Sequence, residues 1–322
     1  MFSLVIRIVP LILALSTGLA GAQSFPQKPV RMVVPYTPAG PVDFTTRVLQ
    51  SKLQELWGQT VLVENRPGAS GMIGCEFVAK ASPDGYTLLV ATIQTHAMNV
   101  GTIKKMLYDP LKDFTPITQV TRANWVLAVH PSLGVRSYPA LVSYIKARPG
   151  KVSYGSSGVG GTSHLAFELL GAASGLKMLH VPYKGTAQAL NDVIQGQVQM
   201  IIGDLPTLLP QIKAGRIVGI AVTSSVRAPT APELPTIAEA GVPGFDVQPW
   251  QGVFGPPGMP AELVRKINAD IIAVLRMPEI RDRFATSGVE PAESTPQEFA
   301  AFLQREVGRW TEAARVAGIT PE

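Results

Sequence analysis

Val30-Arg31-Met32-Val33-Val34-Pro35-Tyr36-Thr37-Pro38-Ala39-Gly40-Pro41-Val42-Asp43 is the stretch whose reading decides the fold. The apolar run Val30 to Val34 reads as a buried strand, the loop from Pro35 to Pro41 is built of prolines and small residues, and Asp43 is placed to cap a helix running to about Trp57. The same unit repeats. A strand at Val61 to Glu64 leads through Asn65-Arg66-Pro67-Gly68-Ala69-Ser70-Gly71 into a helix ending near Ser82, and Pro83-Asp84-Gly85 turns the chain into a strand from Tyr86 to Ala91. Strands alternating with helices predict α/β wrapping on mainly parallel sheets.

A second set begins at Trp125 to Val129. It continues with a helix at 138–147, a strand at 152–154, the glycine loop Gly155-Ser156-Ser157-Gly158-Val159-Gly160-Gly161, and a helix from Thr162 to Ser174. Strands at 178–181, 198–202 and 217–222 alternate with helices at 187–195 and 205–213. The tail differs. One helix carries Leu263, Ile267, Ile271, Val274 and Leu275 on one stripe and stops at Pro278. Another opens on the capping box Thr295-Pro296-Gln297-Glu298 and buries Phe299, Phe302, Leu303 and Trp310. The expected arrangement is a first lobe of residues 23–123 joined by 249–322, and a second lobe of residues 124–248. Two crossings between lobes make a hinge, with a cleft for a ligand between them.

Composition narrows the function. With 46% hydrophobic and 16% charged residues, the chain of 322 residues is no disordered polymer. Its net charge of +5 comes from scattered Lys and Arg without interleaved aromatics, which argues against nucleic acid. Residues 1–22 read as a secretory signal: Arg7, an apolar stretch from Ile8 to Leu15, and Ala20-Gly21-Ala22 before a cut at Gln23. The single cysteine, Cys75, lies far from that cut, so no lipid anchor is expected, and a lone thiol in an oxidising compartment reads as a small core residue.

Two loops hold the candidate chemistry. Pro35 to Asp43 and Gly155 to His164 each follow a strand and open a helix, where glycines admit a ligand and first-turn N–H groups attract an anion. The ligand set read from them is Tyr36, Thr37, Ala39, Gly40 and Asp43 in the first, and Ser156, Ser157, Gly158, Gly160, Thr162, Ser163 and His164 in the second. Neither loop contains Lys or Arg, which favours a carboxylate over a phosphate. Strand ends add Thr92, Gln94, Thr95, His96, Tyr183 and Asp204, the last as a helix cap or as a partner for an ammonium group. The dinucleotide fingerprint fails at Ser163, the phosphate loop and the nucleophile elbow are absent, and the four histidines show no metal-binding spacing. Neither cofactor nor metal nor catalytic residue is expected. A hydrolase would need a Ser-His-acid triad assembled in the cleft.

Five segments then carry a family resemblance: Pro35 to Asp43, Glu64 to Gly71, Pro83 to Leu89, Pro182-Tyr183-Lys184-Gly185, and Pro235 to Gly241. In order and spacing they resemble the Bug receptors, the extracytoplasmic solute receptors of tripartite tricarboxylate transporters. The resemblance implies a type II periplasmic binding protein, two α/β lobes on a hinge, whose two loops pinch a carboxylate. It also implies a monomer serving membrane transporter subunits or a sensor kinase ectodomain, with Tyr36, Phe44, Gln94 or Asp204 meeting the ligand's far end. One departure is Ala39, where the family usually carries the first of two glycines; alanine offers the same N–H, but less freely at positive φ.

Overall fold

The computed structural model describes residues 25–321; the secretory signal expected at residues 1–22 lies outside them. Strand β1 (Val30–Val34) and helix α1 (Pro41–Trp57) are followed by β2 (Val61–Asn65), α2 (Met72–Ala79) and β3 (Thr87–Thr92). A wide single turn at Gln94–Met98 runs into α3 (Asn99–Thr102), and β4 (Thr115–Ala123) leads to β5 (Trp125–Val129) with one residue between them. Next come α4 (Tyr138–Lys146), β6 (Ser153–Ser156), α5 (Thr162–Ser174), β7 (Leu179–Pro182), α6 (Thr186–Ile194), β8 (Met200–Asp204), α7 (Leu205–Lys213) and β9 (Val218–Val222). The chain returns through β10 (Trp250–Gly255), α8 (Ala261–Leu275), α9 (Pro278–Thr286), β11 (Val289–Pro291) and α10 (Pro296–Val316).

Two sheets result, ordered β11-β4-β10-β3-β1-β2 and β7-β6-β8-β5-β9. The expectation of mainly parallel sheets holds only at β2-β1-β3 and β7-β6-β8. The strands that carry the chain between sheets, β4, β5 and β10, pair antiparallel to their neighbours. The reason is topological: a strand that leaves one sheet to enter another is not delivered by a βαβ crossover, so nothing forces it parallel.

The crossings are tied to each other. Ala123 N–H donates to the Pro249 carbonyl at 3.0 Å, and Val247 N–H to the Thr223 carbonyl at 2.9 Å. Core packing follows the apolar stripes, with Ile267, Ile271, Val274 and Leu275 of α8 buried against the first sheet and Cys75 buried among its aliphatics. Pro278 does not merely stop a helix; it occupies the first turn of α9, where its missing N–H costs nothing. Strand β4 carries little sequence signal because its buried positions include Thr118 and Thr121, and Thr118 Oγ1 is satisfied by the Ser294 carbonyl at 3.0 Å.

Helix α10 begins at the expected capping box, with Thr295 and Glu298 exchanging side-chain bonds. Its Phe299 lies on β10 at Gly252, where any Cβ would overlap the phenyl ring. Trp250 and Trp310 both donate indole N–H groups to buried Glu306, at 2.9 and 3.1 Å, and Arg309 reaches the Asp246 carbonyl in the second crossing. The helix does more than cover the first sheet: it also packs on α5 of the second.

Candidate functional site

The first loop is organised by Asp43. It is not the N-cap of α1, which is Gly40, because Pro41 takes the first helical position and shifts the start upstream. From the third helical position its carboxylate, 4% exposed, accepts from Ala39 N–H at 3.0 Å, Asn65 Nδ2 at 2.9 Å, and Arg47 Nε and Nη2 at 2.8 and 3.1 Å. These bonds, led by the Arg47 guanidinium, hold its carboxyl below the usual range. They also pin Ala39 at φ 65°, so Ala39 adopts the left-handed conformation where a glycine is easier, and its N–H is committed to Asp43. Thr37 is exposed, while Tyr36 Oη meets the Oγ1 of buried Thr92 at 2.8 Å.

The second loop is pinned by its own side chains. Ser163 Oγ accepts from Ser157 N–H at 2.9 Å, Ser156 Oγ from Gly158 N–H at 3.1 Å, and His164 Nδ1 from Gly160 N–H at 3.1 Å. Gly158 and Gly160 sit at φ 122° and 71°, which makes the tight winding possible. Helix α5 starts at Gly161 with no side-chain cap, and among the described residues the N–H groups of Thr162, Ser163 and His164 have no partner. Helix α1 is likewise uncapped by any side chain, with Val42 and Asp43 N–H groups free. Two helix starts therefore offer unspent donors beside loops already rigid.

A cavity of about 900 Å³ opens at the α5 start. Tyr36, Gln94, Gly160 and His164 line it, as the sequence suggests. Sequence reasoning missed Asn99, Thr102, Glu168 and His180 on its walls, and also the C-terminal residues Ala317 to Thr320. Only Glu168 advertised itself, one helical turn after His164. Other candidates line separate, smaller spaces. Ala39, Gly40 and Phe44 line a space of about 240 Å³ with Val289, and Thr162, Ser163 and Asp204 one of about 160 Å³ with Trp125. Asp204 stands at the α7 N-cap but does not cap; its carboxylate accepts from Trp125 Nε1 at 2.9 Å, and crowding in the crevice raises its pKa. Tyr183 turns away to Asp192, 2.8 Å from its hydroxyl. Thr95 and His96 are corrections: the wide turn after β3 sends both into the core, and His96 packs against Phe254 with ring centroids 4.4 Å apart.

His164 and His180 stack in the cavity wall, rings 3.8 Å apart and 9° from parallel. Burial depresses both, His180 to about 4 with help from its neighbour, so at neutral pH both are uncharged. No Lys or Arg is among the described residues lining the cavity, and Glu168 is the one acidic side chain among them. Ser156 does meet His180, Oγ to Nε2 at 2.6 Å, but this serine is 1% exposed. Among the described residues no carboxylate bonds His180, and Glu168 is taken by the Tyr154 hydroxyl at 2.6 Å. The pair pins a loop and forms no triad.

Two sheets joined by paired crossings, with the uncapped start of α5 at a cavity between them, define a two-lobed periplasmic binding protein. Residues 45–318 match TctC, the tripartite tricarboxylate transporter family receptor, and the chain belongs to that family. Protein BugT of Bordetella pertussis is 35% identical over 298 residues, 92% of this chain and 91% of the relative. Among solved structures, an R. palustris protein with adipate is 39% identical, with TM-score 0.73 over 92% of this chain and 100% of its own. MatC from Rhodopseudomonas palustris with bound malate is 31% identical, with TM-score 0.69 over 90% of this chain and 100% of its own. The family is one of solute receptors.

Proposed function

We propose that this protein is a periplasmic receptor that captures a small carboxylate-containing metabolite between its lobes and delivers it to the membrane subunits of a tripartite tricarboxylate-type transporter. The observation that carries the proposal is the pair of uncapped helix starts, α1 and α5, whose free N–H groups sit on loops prepaid by Asp43, Ser156, Ser163 and His164. Such donors hold a carboxylate without a cation, each charge-assisted bond contributing about 1.5–3 kcal/mol. The adipate and malate of its solved relatives support the ligand class.

In this reading the lobes are residues 23–123 with 249–322, and residues 124–248. The open form binds the carboxylate at α5, and rotation about the crossings at Asn124 and near Pro249 brings the first loop over it. A thermal-shift screen of the chain from Gln23 to Glu322 against dicarboxylates, amino acids, aromatic acids and amides tests this. A ligand at ~100 times its Kd adds about 2.7 kcal/mol of stability. Thr162→Trp, which fills the space before the α5 donors, should abolish the shift. Retained binding in that variant would sink the proposal.

A further inference from the structure

The last residues of the described chain are held in place by a defined helix ending. Gly318 takes φ 65°, its N–H donates to the Arg315 carbonyl at 3.1 Å, and Ile319 N–H reaches back to the Ala314 carbonyl at 3.0 Å. This paired pattern is a Schellman motif, and it folds Ile319 back toward the helix that precedes it. Helix α10 lies against α5, so the motif sets Ile319 beside the start of α5. The Ile319 Cδ1 atom is 4.0 Å from the point a Cβ on Gly160 would occupy, and Thr102 Cγ2 is 3.7 Å from the same point. Ile319 and Thr102 therefore touch the glycine loop from the other side of the cleft, and both line the cavity that Gly160, Gly161 and His164 line.

Resting on the receptor reading above, we propose that Ile319 is a specificity-determining residue: with Thr102 it forms the wall that limits how long a carboxylate ligand can extend from the α5 start. The physical case is steric. A half-buried isoleucine fixed by backbone bonds is a hard boundary, unlike an exposed chain end, and Ile319 and Thr102 supply the atoms nearest the point that a Cβ on Gly160 would occupy. A larger side chain at 319 shortens the space, and a smaller one lengthens it.

The test is calorimetric titration of the mature chain with unbranched dicarboxylates from malonate to suberate and with ω-amino acids of matching length. Wild type, Ile319→Trp, Ile319→Ala and Thr102→Ser are compared. Ile319→Trp is expected to weaken the longest acids that wild type binds by tenfold or more and the shortest by less than threefold. Ile319→Ala and Thr102→Ser should move the optimum toward longer acids. A uniform change across lengths, or none, in variants that melt like wild type overturns the wall. If wild type binds no acid of either series, the wall is overturned, while the receptor reading falls only if the wider thermal-shift screen with aromatic acids and amides is blank as well. Should Ile319→Trp fail to fold, the two smaller substitutions decide the matter alone.

Discussion

Acidification should destabilise this protein before its carboxylates begin to titrate, because the fold keeps histidines neutral. His96 is fully buried among Phe254, Phe114 and Tyr108, its Nε2 has no partner among the described residues, and burial pushes its pKa down to about 3. His180 is pushed down to about 4, and His164 is lowered too. In the unfolded chain each takes a proton near 6.5. Between 6.5 and these lower values the unfolded state binds more protons than the folded one, so stability is full above about 6.5 and falls as pH falls. From pH 6.5 to 5, linkage assigns His96 a loss of about 1.6 kcal/mol and His180, whose ring keeps solvent contact, about half as much. Asp and Glu with ordinary values near 4 contribute little in that window, and the carboxyls of Asp204 and Glu306, raised by desolvation, oppose part of the histidine loss. Urea denaturation at pH 7.5, 6.5 and 5 measures the net loss, expected to reach at most about 2.4 kcal/mol. His96→Phe keeps a ring against Phe114 and Phe254 and should remove about two thirds of the slope or more. A wild-type stability that is flat or rises toward pH 5, or an unchanged slope in His96→Phe, would refute the account.

Other substitutions probe the loops and the C-terminal helix. Asp43→Ala strips the acceptor from Ala39, Asn65 and Arg47 and should cost about 2–4 kcal/mol in urea denaturation. Since the Asp43 carboxyl is lowered in the fold, its contribution is present above about 3.8 and is lost as pH falls through its lower folded value; Asp43→Asn should remove that acid-side loss. Ser163→Ala leaves Ser157 N–H without its acceptor and should weaken binding of whichever acid gives the largest thermal shift by roughly tenfold, read by calorimetry. Glu306→Ala would strand two buried indole N–H groups and the Arg309 charge at a cost of about 3–5 kcal/mol, while Glu306→Gln, which keeps an acceptor, should cost clearly less. Equal losses in those two would mean that the indole bonds are not what Glu306 supplies.

Much of the molecule was legible before folding. Helix α5 and helix α7 span the residues that the alternation of strand, loop and helix predicts, the Thr295 to Glu298 box opens α10, and both loops stand between a strand and a helix start. These features are written in residues a few positions apart, and hydrogen bonds across so few residues form in any chain that reads the same locally. The family resemblance extends this because its motifs keep their order along the whole chain. What the sequence could not disclose are encounters between distant segments. Ser156 meets His180 across 24 residues, Trp250 meets Glu306 across 56, and the sheet edge holds Asn124 to Glu290 across 166. The antiparallel placing of β4, β5 and β10 is of the same kind, since it depends on where the chain leaves one sheet for the other. So are the loss of Thr95 and His96 to the core and the arrival of Ile319 beside Gly160. Local chemistry determined which segments are strands, helices and anion-facing loops. Only tertiary packing decided which side chains those loops would meet, because burial and close approach depend on neighbours that the chain supplies from elsewhere.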